Sequence, residues 1–127
     1  MSRIKARDTI PERRVNLLLR KLGYRPQRHR RDLPGIPDFV LKRNKVVVFV
    51  HGCFWHRHPR CRLAYNPRSN VQFWKRKFEA NVRRDQKVRA LLRRLGWHTI
   101  VVWQCQLDFP TKVYAQLYRG IRKNKLG

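Results

Sequence analysis

Eleven residues, His51 to Cys61, carry three imidazoles, two thiols and two large aromatic rings, and they follow directly on the apolar run Val46 to Val50. That run reads as a strand and is far too short to span a bilayer. A polar, ligand-rich loop must therefore leave a sheet from a strand end. Thiol and imidazole are the side chains zinc prefers, and imidazole is also a general base near neutral pH.

The flanking sequence says what kind of sheet this is. Thr9-Ile10-Pro11-Glu12 is a capping box with proline in the first turn. It opens a helix with Val15, Leu18, Leu19 and Leu22 on one face and a stop at Gly23. A basic connection, Arg25 to Arg31, leads to the tight turn Leu33-Pro34-Gly35-Ile36-Pro37. Asp38 to Leu41 and Lys45 to Val50 read as paired strands across an Arg43-Asn44 turn. Ser69-Asn70-Val71-Gln72 is a second capping-box pattern. It opens a long helix to about Leu95, with Trp74, Phe78, Val82, Val88, Leu91 and Leu95 near one stripe, and Gly96 ends it. Thr99 to Trp103 reads as a buried strand, and Pro110 to Lys123 as a last helix with Val113, Leu117 and Ile121 inward. This order predicts one α/β domain over residues 1–127, with a central mixed sheet in three layers.

The charge narrows the partners. Lys and Arg number 32 against 7 Asp and Glu, a formal +25 over 127 residues. Such a surplus repels itself unless a polyanion neutralises it, and nucleic acid is the commonest one. The basic residues are interleaved with the apolar pattern of helices, which predicts a basic folded domain rather than a disordered arm. No leader-like apolar segment follows Met1, and three cysteines cannot all pair with one another. A reduced, cytoplasmic setting is expected, where cysteines near histidines more often bind metal.

Two clusters of candidate chemistry follow. Cys53 and Cys61 flank the loop and Cys105 ends the last strand, so neighbouring strand ends can bring them together. With His58 from inside the loop they would make a closed structural zinc site; buried cysteines beside unrelated histidines are the alternative. Asp38 opens a strand whose hairpin neighbours are Val50 and His51. A carboxylate beside a backbone carbonyl and a histidine suits a metal for phosphodiester cleavage, and a plain turn aspartate is the alternative. Glu12 is explained by the capping box, and Asp85 by ion pairs with its arginine neighbours. Phe54 and Trp55, pointing apart in an extended loop, read as one core ring and one covering ring, or as a wedge into a base stack.

Several blocks together carry a resemblance: Asp8-Thr9-Ile10-Pro11-Glu12, Leu33-Pro34-Gly35-Ile36-Pro37-Asp38-Phe39-Val40, His51-Gly52-Cys53-Phe54-Trp55-His56, Phe73-Trp74, Asn81-Val82-Arg83-Arg84-Asp85, and Gly96-Trp97 through Val102-Trp103-Gln104-Cys105. In this order they resemble the Vsr, or very short patch repair, DNA mismatch endonucleases, over nearly the whole chain. The resemblance implies a restriction-endonuclease-like fold (PD-(D/E)XK-type) with structural Zn²⁺. It also implies Mg²⁺-dependent nicking of duplex DNA on the 5′ side of the thymine in a T·G mismatch, the product of 5-methylcytosine deamination.

Residue by residue, the resemblance makes Asp38 the Mg²⁺ ligand, with the Val50 backbone carbonyl beside it, and His56 the general base. His51, Glu12 and Asp85 support the metal, water and phosphate, while Cys53, His58, Cys61 and Cys105 hold zinc. Phe54 and Trp55 form the wedge, and an N-terminal region that embraces DNA assigns contacts to Met1 and Ile4. Gln104 stands where the family usually has glutamate, which removes one negative charge near the zinc or the active site. A monomer in the bacterial cytoplasm is expected, nucleoid-associated, with mismatch-repair proteins as further candidate partners. Two other readings remain: a sequence-directed nicking enzyme with a relaxed mismatch requirement, and a zinc-stabilised DNA-binding module without activity.

Overall fold

The first four residues of Val46–His51 are buried on both faces, so this strand needs a layer on each side. The computed structural model describes residues 9–123. In chain order the elements are α1 (Ile10–Lys21), β1 (Gln27–Arg28), β2 (Phe39–Leu41), β3 (Val46–His51), α2 (Val71–Arg94), β4 (His98–Trp103) and α3 (Pro110–Lys123). The sheet order is β1-β2-β3-β4. β1 and β3 both run antiparallel to β2, and β4 runs parallel to β3, with α2 as the crossover. The expected mixed sheet is present.

Alternation along β3 sorts the core. Val46 and Val48, with Phe39, Leu41, Ile100 and Val102, meet Val15 and Leu19 of α1 and Val113, Leu117 and Ile121 of α3. Val47 and Phe49, with Val40, meet Leu92 and Val88 of α2. Burying each such side chain stabilises the fold by about 1.5–3 kcal/mol. Among the described residues no helix is long and apolar enough to cross a membrane.

Local details depart from the sequence reading. The basic connection is partly strand: Gln27 and Arg28 pair with Val40 and Phe39. The hairpin turns through a 3-10 segment, Lys42–Asn44, closed by left-handed Lys45, rather than a two-residue turn. The second capping box is absent, because Asn70 is itself left-handed and its side chain does not cap α2. The α2 stripe runs through Phe78, Val88 and Leu92, while Leu91 and Leu95 are exposed. With α2 crossing one face of a small sheet, only a narrow line of its residues reaches the core. At Gly96 the φ of +88° is the left-handed conformation that terminates α2 at little cost. Met1 and Ile4 lie outside the described residues.

Candidate metal and catalytic centre

β3 and β4 run parallel with His51 opposite Trp103, so both chains leave the sheet at the same end. Cys53 lies two residues past His51, and Cys105 two residues past Trp103. The Cys105 N–H donates to Cys53 Sγ at 3.4 Å, and Cys105 Sγ sits 3.4 Å from His58 Nδ1. The ligand atoms of Cys53, His58, Cys61 and Cys105 all lie within 4.8 Å of one another. Ligands of a tetrahedral zinc ion are about 3.6 Å apart, so this set fits a closed site. All three thiols are free of disulfides.

The four groups sit in unequal electrostatic surroundings, and a bound cation would have to draw the Cys53 and Cys105 protons off. Burial pushes the Cys53 thiol up to about 12 and raises Cys105 as well. For Cys61 burial also pushes upward, but backbone N–H groups of Leu63 and Ala64 and the neighbouring thiols outweigh it and bring the pKa down. Burial lowers His58, which favours the neutral, metal-binding imidazole. The His58 ring stacks on Trp103 at 4.2 Å and 12°, which fixes its plane. Gln104 turns its side-chain oxygen to the Cys53 N–H at 3.4 Å, a neutral acceptor at the edge of the thiol group.

The second group is His51, His56 and Asp85. The rings of His51 and His56 stack at 3.8 Å and 3°. His56 Nδ1 lies 2.6 Å from Asp85 Oδ2, which α2 brings under the loop. Burial pushes the Asp85 carboxyl up, but its hydrogen bond to His56 and the charges of His56, His51 and Arg84 outweigh that, leaving its pKa below the usual value. With Nδ1–H donated to a carboxylate, the Nε2 lone pair is the one available for a proton.

The third group joins Asp38 to both sheet and α1. Asp38 Oδ2 accepts the Val50 N–H at 2.7 Å, as the hairpin predicts. Glu12 Oε1 accepts from Arg28 Nη2 at 3.2 Å and lies 3.0 Å from His29 Nε2, which is 3.8 Å from Asp38 Oδ1. Glu12 and Asp38 are almost fully buried. The N-cap half of the predicted box is present, since Thr9 Oγ1 accepts the Glu12 N–H at 3.3 Å. The Glu12 carboxylate, though, reaches across to the sheet edge.

The aromatic pair is less simple than an extended loop suggests. Residues 53–57 turn, and the rings of Phe54 and Trp55 touch at 5.3 Å and 81° rather than pointing apart. Phe54 also meets Tyr65, Trp74 and Phe78, whereas Trp55 rests on Trp74 and is 46% exposed.

Residues 1–62 match the family described as DNA mismatch endonuclease Vsr. The chain is 48% identical over 117 residues to the type II nicking enzyme V.XorIIP of Xanthomonas oryzae pv. oryzae, covering 92% of this chain and 85% of that protein. It is 38% identical over 125 residues to the type II nicking enzyme V.NmeAIP of Neisseria meningitidis, covering 98% and 89%. It is 41% identical over 107 residues to the DNA mismatch endonuclease Vsr of Escherichia coli K12, covering 84% of this chain and 68% of that one. The chain belongs to the Vsr endonuclease family.

In this Vsr chain, then, nine of the residues singled out by sequence gather in three neighbouring groups: Cys53, His58, Cys61 and Cys105; His51, His56 and Asp85; Glu12 and Asp38. Asp85 bonds His56, a contact beyond the ion pairs with adjacent arginines that the sequence offers as its plain alternative. Two residues escaped notice. His29 was hidden in a basic run, and only its place one residue past β1, opposite Asp38, reveals it. Arg57 sits in the loop between the Vsr motif residues and donates to the carbonyls of Phe54, Ala64 and Tyr65 and to Asn66 Oδ1, at 2.8–3.3 Å. Its guanidinium also stacks 4.0 Å over Phe78. An arginine among 32 basic residues carries no visible signal of that role.

Proposed function

We propose that this protein nicks duplex DNA 5′ to the thymine of a T·G mismatch, by Mg²⁺-dependent hydrolysis in a restriction-endonuclease-like fold. The observation that carries this reading is the Asp85–His56 pair, held one strand end away from the Asp38–Val50 anchor. Asp38, with the Val50 carbonyl, would hold Mg²⁺, and the buried carboxylates suit a hard cation. The bound ion supplies charge stabilisation and alignment at the scissile phosphate. His56 takes the proton of the attacking water at Nε2, while Asp85 holds its tautomer and ring direction. His51 braces the His56 ring by stacking, and Glu12 ties α1 to the metal-bearing edge. Cys53, His58, Cys61 and Cys105 hold structural Zn²⁺, which keeps the general base in register with the Asp38 edge. Trp55, backed by Phe54, enters the base stack at the mismatch, where unstacking costs least. The protein acts as a monomer on DNA in the bacterial cytoplasm, with Met1 and Ile4 extending the DNA contact and mismatch-repair proteins as the candidate partners.

A second reading is sequence-directed nicking with a relaxed mismatch requirement; some relatives are named type II nicking enzymes, while the match to the DNA mismatch endonuclease family supports the first reading. Labelled T·G and T·A duplexes incubated with Mg²⁺ separate the two. Cutting confined to the T strand of the T·G duplex supports the first, and equal cutting of both supports the second. Tight, salt-sensitive binding with no cutting would leave only a DNA-binding module. Asp38→Ala should abolish cutting and keep most binding; a variant that still nicks at the native rate sinks the metal assignment.

A further inference from the structure

Glu12, His29 and Asp38 come from three separate segments: the first turn of α1, the residue after β1, and the residue before β2. Their ligand atoms converge within 4.8 Å. Glu12 Oε1 to His29 Nε2 is 3.0 Å, and His29 Nε2 to Asp38 Oδ1 is 3.8 Å. Neighbouring ligands around an octahedral ion at ordinary bond lengths are about 3 Å apart, so only a small closure is needed. The two oxygens of Asp38 divide the work: Oδ2 is fixed by the Val50 N–H, and Oδ1 faces His29.

The surroundings favour a cation here. Glu12 and Asp38 are 4% and 3% exposed, and buried charges are held by partners or by metals. Arg28 engages Glu12 from one side, but a carboxylate has about four acceptor positions and can hold a guanidinium and a cation together. His29 is aimed at the pair at a cost, because its φ of 49° is left-handed for a residue with a β-carbon. Strain of this kind persists where the surroundings hold it in place, and it clusters at functional sites.

We infer that Glu12, His29 and Asp38 form a mixed nitrogen–oxygen site for a divalent transition-metal ion of the Mn²⁺ type, so that the ion held by Asp38 also bonds the His29 imidazole. The inference rests on the endonuclease reading above and gives its metal a preference. Oxygen-only sites suit Mg²⁺, whereas an imidazole ligand tilts a site toward Mn²⁺ and later metals.

The test measures metal binding apart from cleavage. Zinc-loaded protein is titrated with Mn²⁺ or Mg²⁺, without DNA, and the Mn²⁺ complex is examined by electron spin echo spectroscopy. Wild type should show imidazole ¹⁴N modulation that His29→Gln lacks. The same substitution should weaken Mn²⁺ binding about ten-fold or more, and Mg²⁺ binding by less than about three-fold. In wild-type protein, substoichiometric Mn²⁺ should broaden the His29 ring resonances before those of His51 and His56, a readout that needs no variant. No nitrogen modulation, unbroadened His29, or unchanged Mn²⁺ affinity in His29→Gln each overturns the site. If wild type nicks DNA but His29 stays silent, the inference fails and the endonuclease reading stands. If Mn²⁺ binds through His29 while no duplex is cut, the site stands and the reading of function fails.

Discussion

His56 Nδ1 lies 2.6 Å from Asp85 Oδ2, although the two residues are 29 positions apart, one on the loop after β3 and one on α2. The contact ties the long helix directly to the proposed base, so it is the first place to test the mechanism.

Asp85→Asn replaces the carboxylate with an amide that can donate to Nδ1 and stabilise the wrong tautomer. Nicking should fall about 10²–10⁴-fold, with DNA affinity and zinc content retained. Native-rate nicking by this variant would remove His56 from the role of base.

The same pair predicts an acid limb in stability. The folded pKa of Asp85 is depressed, so the unfolded chain binds its proton more readily. The contribution is present above the unfolded carboxylate pKa, about 4, and is lost as pH falls through the depressed folded value. The melting difference between wild type and Asp85→Asn should be flat from neutral pH to about pH 5 and shrink below it. A difference that grows in acid would reverse the sign of the argument.

Cys105→Ala removes the ligand that joins the end of β4 to the loop after β3. Zinc measured by mass spectrometry should fall from one per chain to none. Stability should drop by about 3 kcal/mol or more, roughly a 10 °C loss in Tm. Full zinc content in the variant would break the four-residue assignment.

Phe54 and Trp55 should separate experimentally. Phe54 touches four other rings, so Phe54→Ala should destabilise the fold by about 3 kcal/mol. Trp55 is half exposed, and Trp55→Ala should leave the melting temperature nearly unchanged. It should weaken binding to a mismatched duplex by about 1–3 kcal/mol, the worth of one base stack. Equal effects of Trp55→Ala on matched and mismatched duplexes would deny it the wedge role.

Arg57→Lys keeps the charge and loses the planar fork that spans Phe54, Ala64, Tyr65 and Asn66. Zinc should then pass to a chelator faster, by about ten-fold for each 1.4 kcal/mol of loop stability lost. An unchanged transfer rate would mean the metal alone orders the loop.

The site residues were legible in the sequence to the extent that their chemistry was rare. Thiols and imidazoles stand out in a chain dominated by arginine and lysine, and the strand pattern brings Cys53 and Cys105 to one end. What was lost needed geometry. His29 lies in a run of basic residues, and only its pairing opposite Asp38 gives it meaning. Asn70 had a capping residue's identity but a left-handed backbone. Leu91 and Leu92 are equally apolar, and only the angle at which α2 crosses the sheet buries the second. Propensity sets what a residue can do, and tertiary placement chooses among the options.

The pairing of His51 with Trp103 has a consequence for how such a chain can change. Two stretches of sequence, some fifty residues apart, are measured against one ruler. Removing or adding a single residue in β3 or β4 would turn each later side chain to the opposite face and withdraw a thiol and a base together. Length variation is tolerable beyond Cys61 and beyond Cys105, not before them. Drift in length should therefore be lopsided: free past the last ligand of each segment, and frozen to the residue in two short strands and the turn that follows the first.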